Sequence, residues 1–217
     1  VLVLLIAFYD RIVPSSRGIV AVINGEKITE KEFNGLYSKV PEIYTSMGLT
    51  KEKFLNDTLI PHRLLLQEAG KRGLDVSDAE IDDMINSVID TSGATKEQLI
   101  EDLKQQNTTY DEFRVMAKEQ LLITKLLNVT VKDMQVTDAE INEFYNSNKE
   151  LFAVSNTTYK GIEEVKDKIE PYLANKKLLE GLRSKAEIVI FLTDDSGIAA
   201  SPSASGPAAT AGMKASF

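Results

Sequence analysis

The apolar positions along this chain follow two rhythms. In IVAVINGEKIT, residues 19–29, two β-branched runs flank Asn24-Gly25. That dipeptide tolerates the positive φ angles of a tight turn, so the pattern predicts a β-hairpin. From there the period becomes helical. Thr29 and Glu32 have the form of a capping box, and Phe33, Tyr37, Val40, Tyr44 and Met47 follow at helical spacing, with Pro41 expected to kink the helix. A second helix is predicted from near Thr50 to Gly70 or Gly73, with Leu55, Leu59, Leu65, Leu66 and Ala69 on one side and Pro61 interrupting it.

Ser77 and Glu80 open a third helix, carrying Ile81, Met84, Ile85, Val88 and Ile89 and ended by Gly93. Thr95 with Gln98 and Thr109 with Glu112 open two more, the second passing through Phe113, Ala117 and Leu121 into LLITKLL. Thr137 and Glu140 start a sixth, with Ile141, Phe144, Tyr145 and Phe152 inward. After a short polar connector, Ile162, Val165, Ile169, Tyr172, Leu179 and Leu182 mark a long helix, which Pro171 is expected to bend. It stops before AEIVIF, residues 186–191, a strand that needs a partner because its backbone groups are otherwise unpaired. The hairpin at 19–29 supplies the other strand material. The expected fold is therefore mainly α: a multi-helix module closed by a small sheet in which an N-terminal hairpin meets a C-terminal strand.

The ends of the chain differ from its body. VLVLLIAF, residues 1–8, is wholly apolar but shorter than the roughly 20 residues that cross a bilayer. It reads as the trailing part of a signal sequence or membrane anchor, and the lack of a small-x-small cleavage site before Tyr9 favours an uncleaved anchor; a buried strand or helical turn is the alternative. Residues 193–217 are rich in Ala, Ser, Gly and Pro, a composition expected to be disordered. The expected division is an anchor and linker at 1–18, a helical domain at 19–192 and a tail at 193–217.

Composition narrows the chemistry. At 217 residues, one domain with appendages can bury roughly 70% of the surface of its unfolded chain. The formal charge of -8, without a long basic block, argues against nucleic acid. Cysteine is absent, which excludes disulfides, thiolate metal sites and a cysteine nucleophile. His62 is the sole histidine, so a two-histidine zinc site is excluded; it shares a face with Leu55, Leu59 and Leu66 and reads as a half-buried packing residue. No serine or threonine has a nearby candidate base, and no glycine-rich phosphate loop occurs. Neither Asp82-Asp83 nor Asp194-Asp195 forms a site. The near-repeat VSDAEID (76–82) and VTDAEIN (136–142) could suggest paired carboxylates, but helix capping accounts for it. Sequons at Asn56, Asn107, Asn128 and Asn156 could accept glycans on an exported chain. No catalytic residue, cofactor or metal is expected.

The order of the pieces carries a resemblance. VAVINGEKITEKEF, LIPHRLLLQEAGKRGLDVSDAEID, EQLIEDLKQQNTTYDEFRVMAKEQLLITKLL and VTDAEINEFYNSNKELF together resemble the N-terminal chaperone module of the SurA, PrsA and PpiD family of extracytoplasmic folding factors. EEVKDKIEPYLANKKLLEGLRSKAEIVIF looks like the segment that returns a helix and a strand to that module. In the family a parvulin-type prolyl isomerase domain usually stands between these parts, about where Ala153 to Gly161 lies here, and nothing in this chain resembles parvulin. The resemblance implies an ATP-independent holdase of the cell envelope, tethered at its N-terminus, whose partners are unfolded exported polypeptides. The alternatives are a divergent prolyl isomerase and a module dedicated to one membrane partner.

Holding unfolded chains requires accessible apolar side chains fringed by charge. Tyr37, Val40, Tyr44, Met47, Leu49 and Phe54, around the break between the first two helices where Pro41 and Gly48 loosen packing, are the candidate client-binding groove. Each could instead serve the core.

Overall fold

The computed structural model describes residues 18–155 and 158–192. Its elements run β1 (Ile19–Ile23), β2 (Glu26–Thr29), α1 (Glu30–Tyr37), α2 (Glu42–Ser46) and α3 (Lys51–Phe54), then a π-helical turn (Leu55–Leu59) and α4 (Ile60–Lys71). There follow α5 (Asp78–Ser92), α6 (Lys96–Gln105), α7 (Tyr110–Asp133), α8 (Asp138–Ser147), a 3-10 turn (Lys149–Phe152), β3 (Ala153–Ser155), β4 (Thr158–Tyr159), α9 (Ile162–Lys185) and β5 (Ile188–Ile190). The chain forms two units, one of the described residues up to Pro61 together with those from Ser184, the other His62–Arg183. The expected anchor and linker (1–18), apart from Gly18, and the expected tail (193–217) lie outside the described residues.

In the first unit Asn24 and Gly25 both take positive φ, 50° and 86°, which closes the β1–β2 hairpin as their sequence predicts. β5 joins β1 antiparallel, pairing Ala21 with Ile190, Val22 with Val189 and Ile23 with Ile188, so the sheet order is β2-β1-β5. The turn itself fastens the two chain ends. Asn24 N donates to the Glu187 carbonyl at 2.8 Å and Asn24 Oδ1 accepts from Glu187 N at 2.9 Å. As the central strand β1 is almost wholly buried, which explains its unbroken apolar run IVAVI. Ile28, Phe33, Leu55 and Ile60 are among its deeply buried companions.

Two of the prolines, Pro41 and Pro61, act differently from expectation. Pro41 does not kink one helix but separates two: α1 ends at Tyr37 and α2 starts at Glu42, with Pro41 at its N-cap in an extended conformation. Lacking an N–H and forcing its predecessor away from helical angles, proline fits that position better than a helix interior. Pro61, by contrast, does not stop its helix. The turn before it widens to the π form, with Ile60 N–H bonded to the Leu55 carbonyl, which makes room for the proline ring. Pro171 sits inside α9, which continues across it.

In the second unit the predicted caps are all formed. Ser77, Thr95, Thr109 and Thr137 each accept from the third helical N–H while Glu80, Gln98, Glu112 and Glu140 reach back, and Gly93 ends α5 at φ 68°. Three apolar clusters result. One holds Val76, Ile81, Ile85 and Ala117; one holds Ile141, Phe152, Val165, Ile169 and Leu173; one holds Ala69, Leu126 and Leu178. In the connector β3 pairs antiparallel with β4, and the Tyr145 hydroxyl donates to the Lys160 carbonyl at 2.7 Å just after β4.

Candidate functional site

Of the six candidate residues, Tyr37 and Phe54 belong to an aromatic floor and Tyr44 and Met47 to an exposed ridge, all within the first unit. Phe33 and Tyr37 lie one helical turn apart on α1, and α3 presents Phe54 to both. Phe33 stacks on Tyr37 at 6.1 Å between ring centroids, and Phe54 meets Tyr37 edge-on at 5.5 Å and Phe33 at 5.9 Å. Phe54 is buried, Tyr37 half-buried. Offset and edge-on rings satisfy the aromatic quadrupoles, so this trio packs as a structural floor.

Above it in sequence, residues 38–50 form a loop around α2. The Tyr37 hydroxyl donates to the Leu49 carbonyl at 3.0 Å, and Lys53 Nζ donates to the Gly48 carbonyl at 3.1 Å, so the far end of the loop is held from both flanking helices. Gly48 turns the chain at φ +89°, a conformation that disfavours other residues, and Leu49 N returns to the Tyr44 carbonyl at 2.9 Å. Val40 and Leu49, at the two ends, are half-buried.

Between them α2 buries nothing. Ile43, Tyr44 and Met47 retain 62%, 55% and 71% of their exposure, and spacings of three and four residues put them on one helical face. Single exposed apolar residues are ordinary; three within five residues, two on α2 and Met47 at its C-cap, are not. Lys39, Glu42, Lys51 and Glu52 are nearby in sequence and supply charges of both signs. Ile43 was not among the residues expected from sequence. Its signal was the spacing to Met47 in a segment bounded by proline and glycine.

Other candidates resolve into structural roles. His62 Nε2 lies 3.7 Å from Glu119 Oε2 with about a third of its side chain exposed. Burial lowers its pKa, opposed by the Glu119 charge and assisted by Arg63. Asp82 pairs with Arg114, whereas Asp83 is exposed. Asn56 donates to the Glu52 carbonyl within its own helix, Asn107 takes a left-handed φ of 51°, and Asn128 is exposed on α7; Asn156 lies outside the described residues. Among the described residues no three His, Cys, Asp or Glu side chains assemble to hold a metal, and no helix is long and apolar enough to cross a membrane.

A family profile described as "SurA-like N-terminal domain" matches residues 1–127. The chain is 34% identical over 157 residues to the foldase protein PrsA of Caldanaerobacter subterraneus subsp. tengcongensis, covering 64% of this chain and 45% of the relative. It is 28% identical over 154 residues to the chaperone SurA of Saccharophagus degradans, covering 66% of this chain and 35% of the relative. It thus spans less than half the length of these two relatives. Its fold is similar to a solved chain from Campylobacter jejuni, from work on PEB4 and the periplasmic protein Cj1289 as two structurally related SurA-like chaperones. That superposition has a TM-score of 0.52 at 17% identity and covers 79% of this chain and 98% of the other.

Proposed function

Because the chain belongs to the SurA-like N-terminal domain family, we propose that it is a chaperone that holds unfolded, exported polypeptides against the exposed face of α2, without nucleotide and without making or breaking bonds. The observation that carries this reading is the solvent exposure of Ile43, Tyr44 and Met47, in a loop whose flanking helices are joined by the Phe33, Tyr37 and Phe54 rings. Covering such a ridge is worth about 3–5 kcal/mol before ordering costs, which corresponds to dissociation constants of roughly millimolar order. Each contact is therefore brief, and one segment can be exchanged for another. Met47, unbranched and polarizable, adapts to side chains of different shape. The net charge of -8 keeps carriers with exposed apolar surface apart from one another.

The same reading places the protein outside the cytoplasm, tethered through the apolar residues 1–8. No isomerisation step is proposed: the short strands β3 and β4 pair with each other in the stretch where the family usually carries its isomerase domain. In a light-scattering assay the purified protein, in large molar excess, is expected to suppress aggregation of a denatured client. A variant carrying Ile43→Ser, Tyr44→Ser and Met47→Ser should lose that effect with its melting temperature unchanged. Absence of any suppression by the unmodified protein, at large excess over several clients, overturns the reading.

A further inference from the structure

The near-repeats at 76–82 and 136–142 share more than their caps. Glu80 Oε1 accepts from Lys125 Nζ of α7 at 2.6 Å, and Glu140 Oε1 accepts from Lys177 Nζ of α9 at 2.6 Å. Each lysine also donates to the carbonyl two residues before the cap, that of Asp75 at 2.7 Å and that of Gln135 at 3.1 Å. Eleven residues before each lysine stands a second cation. Arg114 reaches Asp78 Oδ1 at 3.4 Å, and Lys166 reaches Asp138 Oδ1 at 2.6 Å. Eleven residues make about three helical turns, so the two cations share one face about 16 Å apart and bracket the first turn of the preceding helix.

The correspondence extends along the helices. α7 and α9 are both 24 residues long, and Tyr110 aligns with Ile162 and Asp133 with Lys185, a constant shift of 52. At that shift Ala117 matches Ile169, Leu121 matches Leu173 and Leu126 matches Leu178, with each pair turned to an apolar cluster. Even the starts agree: Thr109 N donates to Glu112 at 2.8 Å, and Gly161 N donates to Glu164 at 2.8 Å. Val76 packs in one cluster with Ile81, and Val136 in the other with Ile141, the apolar staple beneath each cap. Capping alone does not require a lysine from another helix at the same place twice. What differs is the connection between the partners, which is α6 in the first copy and the β3–β4 hairpin in the second.

We infer that the second unit contains one device twice: a helix pair latched by a two-cation stripe that grips the first turn of the earlier helix, leaving the connection free to carry different inserts. The latch fixes each pair from its own polar contacts. The connections are thereby relieved of that task, and the inference is independent of what the ridge on α2 binds.

Hydrogen exchange on the full chain tests this. Lys125→Met should speed exchange at residues 81–85 by about two- to five-fold and leave 141–145 unchanged, and Lys177→Met should do the reverse. Asn142→Asp with Lys166→Arg installs in the second copy the contact that Arg114 makes with Asp82 in the first; Asn142 instead donates to the Asp138 carbonyl at 2.7 Å. That double variant should slow exchange at 141–145 beyond either single change. Replacing residues 153–159 by a Gly/Ser linker of equal length should leave 141–145 within about two-fold of the parent. Acid supplies a second readout. The lysine partners, with help from the caps, hold Glu80 and Glu140 down to about 2, below the unfolded value of about 4.3, so the latches contribute above that value and fade as pH falls towards 2. The difference between parent and lysine variants should disappear over that window. Equal loosening of both pairs by either variant, no gain from the double graft, or unlatching by the linker overturns the inference.

Discussion

The aromatic floor and the apolar ridge lie within one stretch, residues 33–54, and are both built of large apolar side chains, yet the fold uses them in opposite ways. Phe33 and Phe54 are 1% and 8% exposed, and Tyr37 lies against both; Ile43 and Tyr44 on α2, which buries nothing, and Met47 at its C-cap are exposed. The difference lies in what precedes each segment. α1 follows the hairpin directly, and its first turn is capped by Thr29, so Phe33 is fixed over the sheet side of the unit. α2 is isolated by Pro41 on one side and left-handed Gly48 on the other, so it is short and attached mainly through its ends. An apolar residue is thus core or contact surface according to the constraint on its helix, and hydrophobicity alone does not distinguish the two.

The largest effect should come from breaking the floor. Phe54→Ala removes a buried ring with two aromatic neighbours and should cost about 3–5 kcal/mol in denaturant unfolding. A cost below about 1 kcal/mol would place Phe54 with the ridge and erase the contrast. Tyr37→Phe is the intermediate case. It keeps the ring and removes only the hydroxyl that holds Leu49, leaving a partly buried carbonyl without that donor, for a loss of about 1 kcal/mol. Because that bond ties the far end of the 38–50 loop, exchange at residues 43–49 should quicken while the sheet stays protected. If loop and sheet loosen together, the hydroxyl serves the whole unit.

Much of this architecture was written locally. Asn24-Gly25 encodes its own turn, and each hydroxyl-x-x-acid or hydroxyl-x-x-amide quartet encodes its own cap, because the interacting groups lie within three residues. The closure of the sheet by β5 was legible through elimination, since one isolated strand needed one partner. What was not legible depends on distant groups. That Pro61 is absorbed by a widened turn whereas Pro41 ends a helix follows from surroundings, not from proline itself. The β3–β4 hairpin gave no advance sign either, since AVS and TY are too short to display an alternation. The pairing of Lys125 with Glu80 and of Lys177 with Glu140 was not legible, because helical period tells which face a residue occupies but not which helix it meets. For the same reason sequence grouped Tyr37 and Phe54 with Tyr44 and Met47, and only their packing parts them.

The smallest effect on stability should accompany the largest on binding. Replacing Ile43, Tyr44 and Met47 by serine removes side chains that are mostly in water already, so unfolding free energy should shift by no more than about 0.5 kcal/mol per site. The same change removes the apolar area a client would cover, and polar hydroxyls offer an unfolded chain little that water does not. Suppression of aggregation should therefore fall while the unfolding curve stays in place. Tyr44→Phe sharpens the point: it preserves the ring and deletes the polar tip, so binding that rests on apolar contact should persist or strengthen. Loss of binding in Tyr44→Phe would mean that the hydroxyl, not the ring, meets the client. Matched losses of stability and binding in the serine variant would mean that α2 belongs to the core, and that floor and ridge are one structure.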